Sequence, residues 1–411
     1  MKKVLYVSYD GMTDPLGQSQ VLPYLRGLTK EGYQFTILSF EKPTAFEKFG
    51  GLIQSICDTA GIKWVPLVFH TSPPVLSKIY DRYKLFSTAK RLHREKKFDL
   101  LHCRSYIAAE LGLQFKKKLG IKFLFDMRGF WADEKKESGH WNQDKWLYKR
   151  IYQRYKALEK EFVQQADHSI SLTEAGKKEF GRLYGGLLKD KGENWEAKCT
   201  VIPCCADLSH FNFANYTEIQ KQELREKLGI RKEAVLLTYS GSLGDWYLLD
   251  EMLLFFKAFQ QKYPTAIFLV LTREIDRLKN SMKKNKIDPA TVITGFASYA
   301  ELPLYLSLST YSLFFIKPIY SKTASSPTKH AELMGMGIPV FCNDIGDTGY
   351  FLRQFPLGEL VDVQAKDFLP AMERMEQKKT DKNEIRQVAL EHFDVTVGVR
   401  RYKKVYKLLL T

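Results

Sequence analysis

Short runs of apolar and β-branched residues recur along the chain, each followed by a longer stretch in which apolar residues return every three or four positions. The first pattern predicts buried strands and the second amphipathic helices. Strands are predicted at 3–9 (KVLYVSY), 34–40, 63–68, 99–103, 122–128, 167–172 and 200–203, and again at 234–240 (AVLLTYS), 266–272, 291–295, 311–316 and 338–342. Alternation of this kind marks a parallel sheet with helices on both faces. It occurs twice, so the predicted fold class is α/β, with two doubly wound Rossmann-like domains. Their ligands are expected in a cleft at the carboxyl ends of the strands.

The strand pattern stops at Pro203 in VIPCCADLSHFNFAN, which places the boundary between 205 and 215. The expected division is an N-terminal domain over 1–208, a C-terminal domain over 209–395 and a last helix, 396–411, free to pack back on the N-domain. Residues 185–198 read as a solvated loop. Lys2 and Lys3 precede only a short strand, which argues against a secretory signal. The longest apolar stretch, Leu302 to Ile316, is too short to cross a bilayer. Six cysteines without zinc or redox spacing suit a reducing compartment, and the expected location is the cytoplasm.

Composition adds one fact that the pattern does not. Lys and Arg number 63 against 47 Asp and Glu, for a net charge of +16. Nucleic acid, anionic lipid and phosphorylated metabolites all qualify as partners. The charge is concentrated: from Ser77 to Lys160 there are 22 Lys plus Arg against 10 Asp plus Glu. That window alternates bases with Tyr, Trp, Phe and Leu at helical spacing, a pattern that suits either a solvated helix or one lying on anionic lipid.

Three segments carry candidate chemistry. Gly17, Gln18 and Ser19 follow the first strand and open a predicted helix, where a glycine admits a close backbone approach and free N–H groups attract an anion. Gly241 and Ser242 occupy the corresponding place in the second domain. Ser325 to Cys342 (SSPTKHAELMGMGIPVFC) is the most specific segment. Ser325 or Ser326 is predicted to cap a helix with Pro327 in its first turn, so that Thr328 and Lys329 meet a diphosphate at the helix start. Glu332 lies five residues beyond Pro327, or about 7.5 Å at 1.5 Å per residue, which is about the distance from a nucleotide's diphosphate to its ribose hydroxyls. Separately, DLLHCRS and FLFDMRG each end a strand on an arginine. Arg104 and Arg128 are therefore candidates for binding phosphate or carboxylate beside Asp126 and Glu134, or for ion pairs that brace the domain.

SSPTKHAELMGMGIPV, VIPCCADLSHF and SLTEAGKKEF within this two-domain plan resemble the retaining glycosyltransferases of family 4, which have the GT-B fold. The resemblance implies that the C-domain binds a nucleotide-sugar donor, with Glu332 on the ribose, Phe296 at the base, and the Gly17 loop at the diphosphate and reacting sugar. It implies donor contacts at Gly17, Gln18, Ser19, Gly241, Ser242, Arg273, Phe296, Lys317, Ser325, Ser326, Thr328, Lys329 and Glu332, and an acceptor side at Arg104, Arg128 and Glu134. Three departures stand out. Ala324 replaces one glutamate of the family's E-x7-E pair. Ser242 and Trp246 or Tyr247 replace an Arg and a Lys of the first C-domain loop. Arg128 replaces a histidine at the end of an N-domain strand.

Lys329, Arg273 and Lys317 are the cations expected to compensate, and Arg128, Asp126 and Lys329 are the candidate catalytic residues. Transfer from a nucleotide sugar needs a stabilised leaving diphosphate more than a strong nucleophile. No D-x-D and no Cys/His cluster occurs, so neither metal nor cofactor is expected. The expected reaction is sugar transfer from a nucleotide sugar, with UDP placed before GDP, to a glycan or lipid-linked acceptor, at the inner face of the cytoplasmic membrane if the basic N-domain rests on it. An epimerase or hydrolase on the same fold and a basic nucleic-acid-binding protein are the competing readings.

Overall fold

The computed structural model describes the backbone of residues 1–411 and every side chain except that of Pro74. The chain forms two compact units. Unit 1 comprises Met1–Cys204, Thr323–Ser325 and Val395–Thr411, and unit 2 comprises Cys205–Lys322 and Ser326–Asp394.

Unit 1 is built on seven strands: β1 (Lys2–Ser8), β2 (Tyr33–Glu41), β3 (Lys63–Val68), β4 (Leu100–Arg104), β5 (Lys122–Asp126), β6 (His168–Ser171) and β7 (Cys199–Val201). All are parallel, in the order β3-β2-β1-β4-β5-β6-β7. The connections are α1 (Pro15–Gln20), α2 (Leu22–Thr29), α3 (Pro43–Thr59), α4 (Pro74–Lys96), α5 (Ser105–Leu119), α6 (Trp131–Glu137), α7 (Trp146–Gln165), α8 (Glu174–Lys189) and α9 (Trp195–Lys198). Val4 to Ser8 and all of β4 are buried, as continuous apolar strands covered on both faces should be. α5 stops at Gly120, whose φ of 68° suits a residue without a Cβ. Thr173 starts α8 by accepting a hydrogen bond from the N–H of Gly176.

Unit 2 repeats the plan with β8 (Leu236–Ser240), β9 (Ile267–Leu271), β10 (Val292–Gly295), β11 (Tyr311–Phe314), β12 (Val340–Cys342) and β13 (Gly358–Leu360). These are also parallel, in the order β10-β9-β8-β11-β12-β13. Its helices are α10 (Glu218–Lys227), α11 (Leu249–Lys262), α12 (Ile275–Asn285), α13 (Leu302–Leu306), α14 (Thr328–Gly335), α15 (Thr348–Gln354), α16 (Leu369–Gln377) and α17 (Lys382–His392). In each sheet the order reverses beside the first strand, between β1 and β4 and between β8 and β11. A reversal of this kind opens a crevice at the strand ends.

The last helix, α18 (Val395–Leu410), belongs to unit 1 and packs against α2. The contact is close enough that a Cβ on Gly27 would lie 2.5 Å from Val399 Cγ2. Arg401 donates to the carbonyl of Val201 at 2.9 Å.

Two expectations fail. β13 went unpredicted because its three residues, GEL, carry no apolar run. The stretch 185–198 is mostly helical, with only 190–194 as loop between α8 and α9. Gly185 and Gly186 face open space inside α8, and the buried Trp195 fills the room over Gly181 while its indole N–H donates to the carbonyl of Lys177 at 2.8 Å.

Part of the basic window is consumed inside unit 1. Glu110 takes both Arg82 and Arg154, and the buried Glu159 takes Lys156 together with the hydroxyls of Tyr106 and Tyr184. Lys116 and Lys117 pair with Asp167 and Glu161, each at 2.6 Å.

Candidate active site

In unit 2 the expected donor residues converge at the β8 end and the start of α14. Thr328, half-buried, is the first residue of α14, but the cap is Pro327, in extended conformation with ψ 121°, and neither Ser325 nor Ser326 caps the helix. A 3-10 turn over Tyr320–Ala324 precedes it, so the chain enters the helix later than the sequence suggests. Half-buried Ser325 groups with unit 1 and half-buried Ser326 with unit 2.

Lys329 is buried, and its Nζ has no hydrogen-bond partner. The ammonium instead stands 4.0 Å from the ring centre of Tyr239 and 3.9 Å from that of Tyr247. Burial lowers it to about 7, against a smaller upward pull from Glu332. Glu332, half-buried one turn along the helix, is raised by burial to about 7, with Lys329 opposing. The two groups therefore change charge near neutrality.

Gly241 makes this arrangement possible. Its φ is 121°, and a Cβ there would lie 3.1 Å from Lys329 Nζ. The loop is held by Glu274, which accepts from the N–H of Leu243 at 2.5 Å, and by the Tyr239 hydroxyl on the carbonyl of Ser242. Ser242 spends its own hydroxyl locally, accepting from the N–H of Gly244 at 3.0 Å. Lys317 follows β11, its N–H on the carbonyl of Trp246 at 2.9 Å, and lines a shallow pocket with Tyr247 and Arg277. Arg273, after β9, lies with its guanidinium 4.6 Å from the ring centre of the exposed Phe296, which follows β10.

In unit 1 the strand register sets Ser8 beside Arg104 and Arg104 beside Asp126 at the carboxyl ends of β1, β4 and β5. Both strands carrying arginine leave through left-handed residues, Ser105 at φ 64° and Arg128 at φ 54°. Such backbone costs about 1–2 kcal/mol per non-glycine residue and gathers at functional sites. Arg104 is buried, with Nε 3.6 Å from Asp10 Oδ2 and no hydrogen-bond partner for Nε or Nη1.

Arg128 lies with Nη1 3.8 Å from Asp126 Oδ1, and its Nη2 donates to Cys204 Sγ at 3.3 Å. Burial pushes the Asp126 carboxyl up, but Arg128, His102 and Arg104 together hold it at about 2. From α18, Tyr402 donates to Asp126 Oδ2 at 3.1 Å, and Tyr406 Oη lies 2.7 Å from Nδ1 of the buried His102. Glu134 sits half-buried in the first turn of α6, beside Asp133, which is taken by Tyr152 and Lys156.

Gly17 lies inside α1, not at its opening. A Cβ there would fall 2.2 Å from the carbonyl oxygen of Gly11, so the close approach this glycine permits is to the chain's own backbone. Gln18 donates to the carbonyl of Thr13 and Ser19 to that of Pro15. The turn before them is clamped by buried Glu41, which accepts from the N–H groups of Met12 and Thr13 and the hydroxyls of Thr13 and Ser39. Among the described residues no group of three or more His, Cys, Asp or Glu side chains forms a metal site, and no helix is long and apolar enough to cross a membrane.

Residues 18–210 match the family model for Glycosyltransferase Family 4, and residues 220–392 that for Glycosyl transferases group 1. The chain belongs to glycosyltransferase family 4. This glycosyltransferase is thus an enzyme of sugar transfer. It is 23% identical over 164 residues to an alpha-monoglucosyldiacylglycerol synthase of Acholeplasma laidlawii, a match spanning 39% of this chain and 38% of that relative's length. Sucrose-phosphate synthase of Thermosynechococcus elongatus superposes with a TM-score of 0.75 at 14% identity, covering 100% of this chain and 99% of that one. HepE of Anabaena, solved in complex with UDP and glucose, gives a TM-score of 0.68 at 14% identity, covering 99% and 100%. These likenesses show the GT-B fold.

Sequence reasoning named Tyr247 only as a replacement for a family cation, and it missed Tyr239, Glu274, Glu41, Tyr402 and Tyr406. Tyr239 and Tyr247 both stood in view as aromatic residues flanking a glycine loop, whereas the carboxylates and α18 tyrosines gave no local signal.

Proposed function

We propose that this glycosyltransferase moves a sugar from a UDP-sugar to a glycan or lipid-linked acceptor, with retention of configuration. The observation that carries the reading is Lys329, a buried ammonium without a hydrogen-bond partner at the start of α14 and next to a glycine with no side chain to cover it. Keeping an unpaired cation buried is costly unless an anion arrives to meet it. A diphosphate is that anion: it brings charge to Lys329 and hydrogen-bond acceptors to the N–H groups of Thr328 and Lys329 at the helix start. Ser326, Ser242 and Lys317 border the same loop ends. Glu332 then accepts from the ribose hydroxyls, and the Arg273–Phe296 pair offers the base a face to stack on.

On this reading the leaving diphosphate is stabilised by Lys329 and helix N–H groups in place of the cation pair that the family carries on its first C-domain loop. In unit 1, Arg128 and Arg104, positioned by Asp126, serve the acceptor side together with Glu134, and Gly17, Gln18, Ser19 and Ser325 serve the transferred sugar through backbone and hydroxyl groups. Attack on the face that the leaving group occupies, with a donor phosphate oxygen taking the acceptor's proton, would give retention. The neighbour solved with UDP and glucose supports the choice of UDP. The relative whose name places a glucosyl group on diacylglycerol supports a lipid acceptor reached at the cytoplasmic membrane.

The test is nucleotide release from a panel of UDP- and GDP-sugars with and without lipid and glycan acceptors. Acceptor-dependent UDP release is expected. Release that ignores acceptor, or a preference for GDP-sugars, overturns the reading.

A further inference from the structure

The two faces of α4 are unlike. Ser77, Asp81, Leu85, Ala89 and Leu92 are buried against unit 1. Asp81 pins the start of the helix, accepting from the Tyr9 hydroxyl at 3.0 Å and lying 2.6 Å from His70 Nδ1. That face is filled. On the other, Leu76, Ile79, Tyr80 and Tyr83 follow the i, i+3, i+4, i+7 spacing of a single stripe and are 65%, 59%, 46% and 66% exposed. Farther along the same stripe stand exposed Lys84, Lys90, Arg91 and Arg94. Of the helix's two acidic residues, Asp81 is buried and Glu95 is held by Arg91 at 2.9 Å. Lys84 Nζ lies 5.4 Å from the ring centre of Tyr80, a cation beside an aromatic ring at the point where the stripe changes character.

An apolar stripe in water at helical spacing marks a surface that something covers. We propose that this face of α4 docks on an anionic lipid bilayer, with its first two turns in the boundary between headgroups and acyl chains and its later turns among the headgroups. Two physical arguments choose this occupant. A second copy of the chain would set one basic stripe against another. A specific protein partner needs about 1,000 Å² of complementary surface, more than four side chains provide, whereas a bilayer asks for no matching shape. The inference deepens the acceptor half of the proposed function, naming the surface at which a lipid acceptor is met. It is read without donor or acceptor, so its failure leaves the transfer reaction standing.

The experiment is co-sedimentation of the full chain with vesicles of phosphatidylcholine alone and of phosphatidylcholine with phosphatidylglycerol. Binding is expected only with the anionic lipid and should weaken as salt rises. Replacing Lys90, Arg91 and Arg94 with glutamine should weaken it about fivefold per base. The L76E/I79E double variant should lose it while keeping the wild-type melting temperature and UDP-sugar turnover on a soluble acceptor, since both residues lie outside the core. Equal binding to neutral vesicles, or unchanged binding by L76E/I79E, overturns the proposal. So does a concentration-dependent dimer that L76E/I79E abolishes, because a second copy would then be the occupant.

Discussion

Replacing Lys329 by methionine removes an ammonium that the fold holds without a hydrogen bond while keeping most of the stem's volume. The fall from its ordinary 10.5 to about 7 corresponds to about 5 kcal/mol. The rings of Tyr239 and Tyr247, at 4.0 and 3.9 Å, return about 1 kcal/mol each, which leaves about 3 kcal/mol of net cost. The unfolded chain keeps this proton up to about pH 10.5 and the folded chain releases it near 7, so the lysine's penalty is full below pH 7 and fades as pH rises toward 10.5. Lys329→Met should therefore raise unfolding free energy by about 3 kcal/mol at pH 6 and by much less at pH 9.5, measured by urea denaturation at both. The same variant should lose about 100-fold in kcat/KM, as removal of one leaving-group contact does elsewhere. A variant that is less stable than wild type at pH 6, or equally active, refutes the assignment of an unpaired, anion-seeking lysine.

Four further outcomes follow from the same geometry. Nucleotide binding should take up close to one proton at pH 8, where Lys329 is mostly neutral until a diphosphate arrives, and less at pH 6; calorimetry in buffers of different ionisation enthalpy measures this. Glu332→Gln should weaken UDP binding by about 10- to 100-fold, the worth of charged hydrogen bonds to a ribose, read from titration calorimetry. Asp126→Asn should cost about 2 kcal/mol at pH 7, and the gap should close as pH falls from about 4 toward 2, where the wild-type carboxyl also takes its proton; chemical denaturation across that range checks it. Ala324→Glu, which restores the family's acidic residue, should not add a sugar contact but lower stability by about 3 kcal/mol in thermal melts. Ala324 is 1% exposed, and its Cβ lies 2.9 Å from where a Cβ on Gly176 would be.

Most of the fold was legible because strand periodicity and helix periodicity are local. Twelve strand runs could be read from apolar stretches, and β13 escaped because it has none. The start of α14 was misplaced because serine is a good cap in isolation, while the observed entry depends on the 3-10 turn before it. The segment containing Lys329 and Glu332 could be chosen from sequence by spacing along one helix. What could not be read was that aromatic residues from another strand and loop, Tyr239 and Tyr247, would take the place of hydrogen-bond partners around the ammonium. Arg104, Arg128 and Asp126 could be grouped by their positions at strand ends, but the carboxylate nearest Arg104 is that of Asp10, which no strand pattern singles out. The surroundings of Asp126 and His102 were hidden because their tyrosine partners come from α18, almost three hundred positions later in the chain, where no pattern links Tyr402 or Tyr406 to β4 and β5.

That return of α18 has a consequence for synthesis. Unit 1 begins the chain, yet its final helix emerges after all of unit 2, about 190 residues later than Cys204. At roughly 5–20 residues per second, the first sheet waits about 10–40 s on the ribosome for its last piece. During that interval His102 and Asp126 lack their tyrosine partners, and the groove beside α2 stays open. Although unit 1 is first in the chain, unit 2 is the one able to finish folding first, and release of a chain cut short before α18 would leave unit 1 incomplete with every strand in place.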